Sequence, residues 1–200
     1  MKRIAFAAFA CALALGVVGC MMPKEVTAKL NIKKDSGYVF AYEGSVVSLA
    51  MLSDLEGGKM DKAAEKKVAD DIVGEMKKDK NLSSVAYAGA GVFTIVYKAE
   101  GNVNEAPLIV GMREMPFFAL AASDDGSRAV FQFLPDCEPE ILKEEFPASG
   151  LSPKGTIELI TELPVESSVG DPAKAALSNT YTWKVDGIDG PLPAMTLKLK

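Results

Sequence analysis

The side chains that could do chemistry in this 200-residue chain are mainly carboxylates, which number 27. Glu138, Glu140, Glu144 and Glu145 form an acidic run. Paired carboxylates can hydrolyse glycosides, because one acts as an acid while the other acts as a base or nucleophile. An acidic run is also typical of an exposed, solvated segment. The run therefore keeps a hydrolase that uses carboxylates only as an alternative function.

Other catalytic machinery has little support in the sequence. Histidine is absent, which excludes Ser-His-Asp and Cys-His nucleophiles, histidine-ligated zinc and the ordinary general base near neutral pH. Cys137 lies between two acidic residues, which disfavour the thiolate that a catalytic cysteine needs. Neither residues 124–126 nor residues 186–190 have the ligand spacing of a calcium loop. We therefore expect a protein that is not an enzyme and that uses no metal and no cofactor.

Aromatic side chains form a second group with a functional use. They recur along three predicted strands, and residues two apart on a strand share a face. Such rings line clefts for lipids or glycans, and they also fill hydrophobic cores. Both interpretations stay open from the sequence. The candidate cleft residues are Tyr38, Phe40, Tyr42, Phe93, Tyr97 and Trp183.

The first 20 residues carry the clearest signal. Lys2 and Arg3 precede an uncharged apolar run that is too short to span a bilayer as a mature helix. The sequence Val17-Val18-Gly19-Cys20 resembles the bacterial lipobox, in which a signal peptidase cuts before a cysteine that carries diacylglycerol. We therefore expect residues 1–19 to be a lipoprotein signal peptide and Cys20 to be the lipidation site.

The predicted anchor sets the location and the first partner. Residues 20–25 are expected to form the anchor and a short tether, which at about 3.3 Å per residue spans less than about 20 Å. The domain should therefore lie near its membrane, in the cell envelope. Met21 is not the aspartate associated with inner-membrane retention, which favours the outer membrane where a cell has two. A lipid or an envelope protein is the expected further partner.

Charge excludes one class of partner. The formal net charge of −5 becomes −7 when Lys2 and Arg3 leave with the signal peptide. Nucleic-acid binding needs clustered lysine and arginine to displace counterions from phosphates. An acidic body of this kind predicts no nucleic-acid binding.

Residues 26–200 predict a single globular domain. Apolar and polar residues alternate from Val26 to Lys33, and a turn at residues 34–37 leads to a second strand at 38–47, which together predict a hairpin. The strand signal at 85–100 is interrupted by a turn or bulge at Gly89 and Gly91. Further strands are predicted at 117–122, 129–134, 156–161, 181–185 and 195–199.

One long helix is predicted between the strands, at residues 59–80. Met60, Ala64, Val68, Ile72 and Met76 recur there at i, i+4 spacing. A glycine at position 74 suggests a close crossing over another element. The expected fold class is α+β, an antiparallel β-sheet of about eight strands packed by one long amphipathic helix.

The layout also resembles the LppM type of bacterial envelope lipoproteins. A lipobox is followed at once by a strand hairpin, a charged helix, a strand ending near Tyr97, and a terminal segment with Val165, Asn179, Tyr181, Trp183 and Pro193. The resemblance spans most of residues 20–200 and implies an α+β envelope domain, with lipid binding as one role. We therefore expect a non-catalytic, lipid-anchored envelope protein that acts by binding or assembly near the membrane.

Overall fold

The computed structural model describes residues 21–112, 115–134, 152–175 and 179–199. Cys20, Cys137 and the acidic run at 138–145 lie outside these residues. Among the described residues, no helix has the length and apolar character needed to cross a membrane.

The described residues form mostly β-structure arranged in two sheets. In chain order the elements are β1 (Met21–Ile32), β2 (Gly37–Ser48), α1 (Leu49–Glu56), α2 (Lys62–Met76), β3 (Leu82–Gly89), β4 (Val92–Asn102), β5 (Leu108–Met112), β6 (Met115–Ala122), β7 (Arg128–Phe133), β8 (Lys154–Thr161), β9 (Val165–Val169), β10 (Ala173–Lys174), β11 (Thr180–Asp186) and β12 (Ala194–Lys198). Sheet A has the order β10-β11-β8-β1-β2-β4-β3, and sheet B has the order β5-β6-β7-β12-β9. The β1–β8 pair is parallel, and the other strand pairs are antiparallel.

Aromatic rings join the two sheets. Phe118 on β6 lies 5.2 Å from Phe40 and 5.8 Å from Tyr42, both on β2, between ring centroids. Phe131 on β7 lies 6.0 Å from Trp183 on β11. The alternating apolar residues of the central strands therefore face the opposite sheet, as in a β-sandwich.

The expected α+β fold, with one long helix packed on a single sheet, is wrong. Helix α2 exists, but among its residues only Ala69 and Ile72 are fully buried, and its contacts with the sheets are chiefly to the edge strand β3. Sheet B covers sheet A instead. Alternation along a strand shows which face is buried but does not show whether a helix or a second sheet covers that face.

Helix α2 packs on sheet A at its edge strand β3. Asp61 caps its first turn by accepting hydrogen bonds from the backbone N–H groups of residues 63 and 64. Tyr87 on β3 packs 5.0 Å from the ring of Phe93 and donates its hydroxyl hydrogen to Glu65 of α2. Apart from the backbone of its own helix, nothing lies within 4 Å of the position that a β-carbon on Gly74 would occupy, so the expected close crossing is also wrong.

Strand β1 lies at the centre of sheet A and is held between two glycines. Val26 pairs with Gly44 on β2 and with Gly155 on β8. A β-carbon on Gly44 would lie 2.0 Å from the carbonyl oxygen of Glu25, and one on Gly155 would lie 1.8 Å from that of Val26. The β1–β2 register shifts between Pro23 and Glu25, immediately before this point. The two glycines therefore let the backbones of β2 and β8 approach β1 more closely than any residue with a β-carbon would allow.

The long strands give sheet A two distinct ends. Met21 pairs with Ser48, whose N–H donates to the carbonyl oxygen of Gly91 at 2.9 Å, and these residues define the proximal end. Ile32 pairs with Tyr38, and the turn before Gly37 defines the distal end. At about 3.3 Å per residue, β1 separates the two ends by roughly 36 Å.

Candidate functional site

All six aromatic residues named as cleft candidates are buried, and the most exposed of them, Tyr38, retains 7% of its surface. Phe40, Tyr42 and Trp183 contact rings of sheet B, whereas Phe93 contacts Tyr87. The structure therefore places these residues in one hydrophobic core. Their role in binding a ligand stays a prediction, and Tyr38 and Tyr97 are the two that also border a groove.

The buried hydroxyl of Tyr42 has hydrogen-bond partners inside this core. Its hydroxyl donates to the carbonyl oxygen of Glu25 at 2.8 Å and lies 3.3 Å from that of Ser45. Burial, with a smaller effect of the Glu25 charge, holds the pKa of Tyr42 far above its ordinary value. The hydroxyl therefore stays protonated and stabilises the β1–β2 register.

Trp183 is similarly fixed. Its indole Nε1–H donates to the carbonyl oxygen of Val169 at 2.8 Å, which ties β11 of sheet A to β9 of sheet B. The ring is fully buried and contacts Phe131. This environment satisfies both the apolar body and the polar tip of the indole.

Tryptophan fluorescence tests whether this ring borders a ligand. Because Trp183 is enclosed by protein, we expect its emission to be blue-shifted and unchanged when fatty acids or detergent monomers are added below their micellar concentration. Titration of the unlipidated domain measures this. A saturable response that depends on acyl-chain length would show instead that Trp183 borders a lipid cleft.

A surface groove of about 310 Å³ lies toward the distal end, between the last part of β4 and the start of β5. We call it the tyrosine groove, because Tyr38 and Tyr97 form part of its wall. Its lining also includes Lys80, Asn81 and Ile109, the last of which is 40% exposed. The carboxylates of Glu100 and Glu105 line it too, so the groove offers donors, acceptors, charges of both signs and an apolar side chain in one place.

The Tyr97 hydroxyl is a hydrogen-bonding group of the groove. Asn81 donates its side-chain amide hydrogen to the Tyr97 hydroxyl at 3.2 Å. Burial raises the pKa of Tyr97, partly offset by that hydrogen bond, and burial also raises the pKa of Tyr38. Both hydroxyls are therefore neutral at physiological pH, which suits recognition of a ligand and does not supply a phenolate nucleophile.

Part of this groove escaped the sequence prediction. Lys80 and Asn81 follow α2 in the chain; Lys80 was expected to end the long helix, and Asn81 was assigned to no element. Ile109 lies on β5, which was not predicted as a strand. The residues come from three segments, and nothing in their local patterns indicates that they meet.

The structure also brings two carboxylates from neighbouring strands together. Glu25 on β1 and Glu43 on β2 line an open, concave surface of about 650 Å³ on the outer face of sheet A. Thr27 and Thr94 lie on the same surface. This pair is what the described residues offer to the carboxylate-only hydrolase, which stays an alternative.

Metal binding has no support in the described part of the chain. No group of three or more His, Cys, Asp or Glu side chains there is placed to hold a metal ion. In the 124–126 turn, Asp125 accepts hydrogen bonds from the hydroxyls of Ser123 and Ser127 and from the Ser127 N–H, and these bonds lower its pKa. Its carboxylate therefore organises the β6–β7 turn.

Comparison with known proteins gives one distant similarity. No protein-family profile matches the sequence, and no curated protein sequence matches it. The chain is similar to the folded domain of LppM from Mycobacterium tuberculosis, solved by NMR, with a TM-score of 0.43 and 10% sequence identity. The similarity covers 88% of this chain and 90% of that domain. LppM is the type that the sequence layout was found to resemble.

Proposed function

We propose that this protein is an envelope lipoprotein, anchored through Cys20, that works without catalysis by binding a partner in the tyrosine groove. The observation that carries the proposal is the position of β1. Met21, the residue after the predicted lipidation site, already belongs to this strand and is itself buried. Residues 21–25, expected to form a tether, are the first part of the strand.

Because the anchor is joined directly to a central strand, it limits how far the groove can lie from the membrane. The proximal end of sheet A is held at the membrane, while the tyrosine groove lies toward the distal end. The length of β1 permits a separation of as much as about 36 Å from the bilayer surface. A partner on the aqueous side of the membrane can therefore reach the groove.

The lining of the groove favours a segment of an envelope protein over an acyl chain. An acyl chain needs a continuous apolar cleft. Four of the aromatic residues that could line one, Phe40, Tyr42, Phe93 and Trp183, pack against other rings of the core. The tyrosine hydroxyls, Asn81 and Lys80 instead match the mixed polar and apolar surface of a polypeptide.

Site-specific photocrosslinking in cells tests this function. A benzophenone amino acid would replace Ile109 in the groove and, as a control, Val169, which is 47% exposed on β9. We expect an adduct of protein mass at position 109 and none at position 169. An adduct of lipid mass at position 109 would identify a lipid as the partner. Equal adducts at both positions, or none, would contradict binding in the groove.

The anchor has its own test. Cys20→Ala removes the sulfur that accepts the lipid in the predicted lipobox, so we expect loss of lipidation and accumulation of the uncleaved precursor. Metabolic labelling with an alkyne fatty acid measures this. Cys137→Ser is the matched control and should keep the label. Label retained by the Cys20→Ala variant would show that the anchor lies elsewhere.

A further inference from the structure

Three segments without a charged residue meet at the proximal end. They are residues 21–23, 44–53 and 86–94, in a chain of which 24% of the residues are charged. The first belongs to β1, the second joins β2 to α1, and the third contains the β3–β4 turn. Because the three segments are far apart in the sequence, the sequence alone does not show that they form one uncharged end of sheet A.

Contacts within the end join the three segments. Ser48 pairs with Met21 and donates its N–H to the carbonyl oxygen of Gly91. Gly91 in turn packs under α1, because a β-carbon there would lie 3.3 Å from the backbone nitrogen of Leu52. Ala50, Ala88 and Ala90 remain exposed around this contact. The proximal end thus presents small apolar side chains to its surroundings.

The distal end is different in character. Lys33, Lys34 and Asp35 form the β1–β2 turn, and the Lys34 N–H donates to the Glu162 carboxylate at 3.1 Å. Glu105 follows β4 at the same end. These groups remain hydrated and would lose that hydration if they were buried against lipid. The two ends of one sheet therefore suit different surroundings.

We infer that the proximal end rests on the bilayer that holds the Cys20 lipid, with the 88–91 turn in the headgroup layer and β1 directed away from the membrane. This inference rests on the proposed anchor. One peptide bond separates the lipidated residue from β1, so the proximal end cannot lie far from the bilayer surface. The acyl chains supply the binding energy. The 88–91 turn sets the orientation because it carries no charge that would be desolvated in the headgroup layer. The nearby Glu65 carboxylate keeps its hydrogen bond from the Tyr87 hydroxyl, which itself accepts the Gly91 N–H.

Nitroxide accessibility tests the orientation. Ala88→Cys, Ala90→Cys and the distal control Lys34→Cys would be made in a Cys137→Ser background, so that one thiol carries the label. The acylated full chain would be reconstituted in phosphatidylcholine and phosphatidylglycerol vesicles. We expect the ratio of oxygen to nickel-chelate accessibility to be several-fold higher at positions 88 and 90 than at position 34. Labelling two positions of the turn shows whether the ratio at either one is due to a local effect of the label.

The outcomes separate this inference from the proposed function. The intact mass of each preparation reports acylation first, and a chain without acyl groups would refute the anchor. If the chain is acylated and the chelate reaches positions 88 and 90 as freely as position 34, the orientation is refuted. Positions 88 and 90 shielded from both oxygen and chelate would mean that protein covers the proximal end, which also refutes it.

Discussion

Gly155→Ala is expected to unfold the domain or to lower its free energy of unfolding by about 4 kcal/mol or more. The new β-carbon would fall 1.8 Å from the carbonyl oxygen of Val26 and 2.7 Å from its carbonyl carbon, which are backbone atoms of the central strand. Gly155 also has a φ of 146°, a conformation that other residues rarely adopt. Relief of the clash would require β8 to separate from β1. Urea denaturation, or the loss of soluble protein, measures the effect.

Gly74→Ala is the matched control for this substitution. Position 74 lies in α2 and has open space where the β-carbon would go. Because alanine favours the helix over glycine, this variant should be more stable by about 1 kcal/mol. A Gly155→Ala midpoint equal to that of the unmodified protein would contradict the close β1–β8 approach.

Phe118→Ala should lower the free energy of unfolding by about 3–5 kcal/mol. Phe118 is fully buried, and its ring contacts Phe40 and Tyr42 of sheet A as well as Phe131 and Phe133 of sheet B. Loss of the ring leaves a cavity between the sheets that a rigid sandwich cannot close. Chemical denaturation measures the loss, and near-ultraviolet circular dichroism reports the aromatic packing.

Val39→Ala provides the comparison for Phe118→Ala. Val39 lies on β2, next to Phe40, but its side chain is 46% exposed. We expect its truncation to change the free energy of unfolding by less than about 0.5 kcal/mol. Similar losses in the two variants would mean that Phe118 does not join the sheets.

Local strand structure could be predicted from the sequence. The hairpin of β1 and β2 is confirmed, as is the hairpin of β6 and β7, because alternation and turn residues act over a few neighbouring positions. The turn at Gly89 and Gly91 is confirmed as the end of the β3–β4 hairpin. Strands β8, β11 and β12 also lie where they were predicted.

Tertiary arrangement could not be predicted in the same way. Short β5 and β9 carry weak patterns, so sheet B went unrecognised and the helix was expected to cover sheet A. From the sequence alone, Gly44 and Gly155 are residues that would weaken a strand. Their role becomes clear only from the pairing of both with Val26 on β1. The tyrosine groove depends on Asn81 and Ile109 meeting Tyr97, which no local pattern encodes.

The parallel pairing of β1 with β8 has a consequence for how the chain reaches this structure. The β1–β2 hairpin depends on local contacts and can form early. One edge of β1 remains unpaired until β8, more than 100 residues later in the chain, has been synthesised. During that interval the unpaired edge, which carries Val26, Leu30 and Ile32, can join another chain. Biogenesis of this protein therefore has a built-in delay during which a chaperone that shields a β-edge would prevent aggregation.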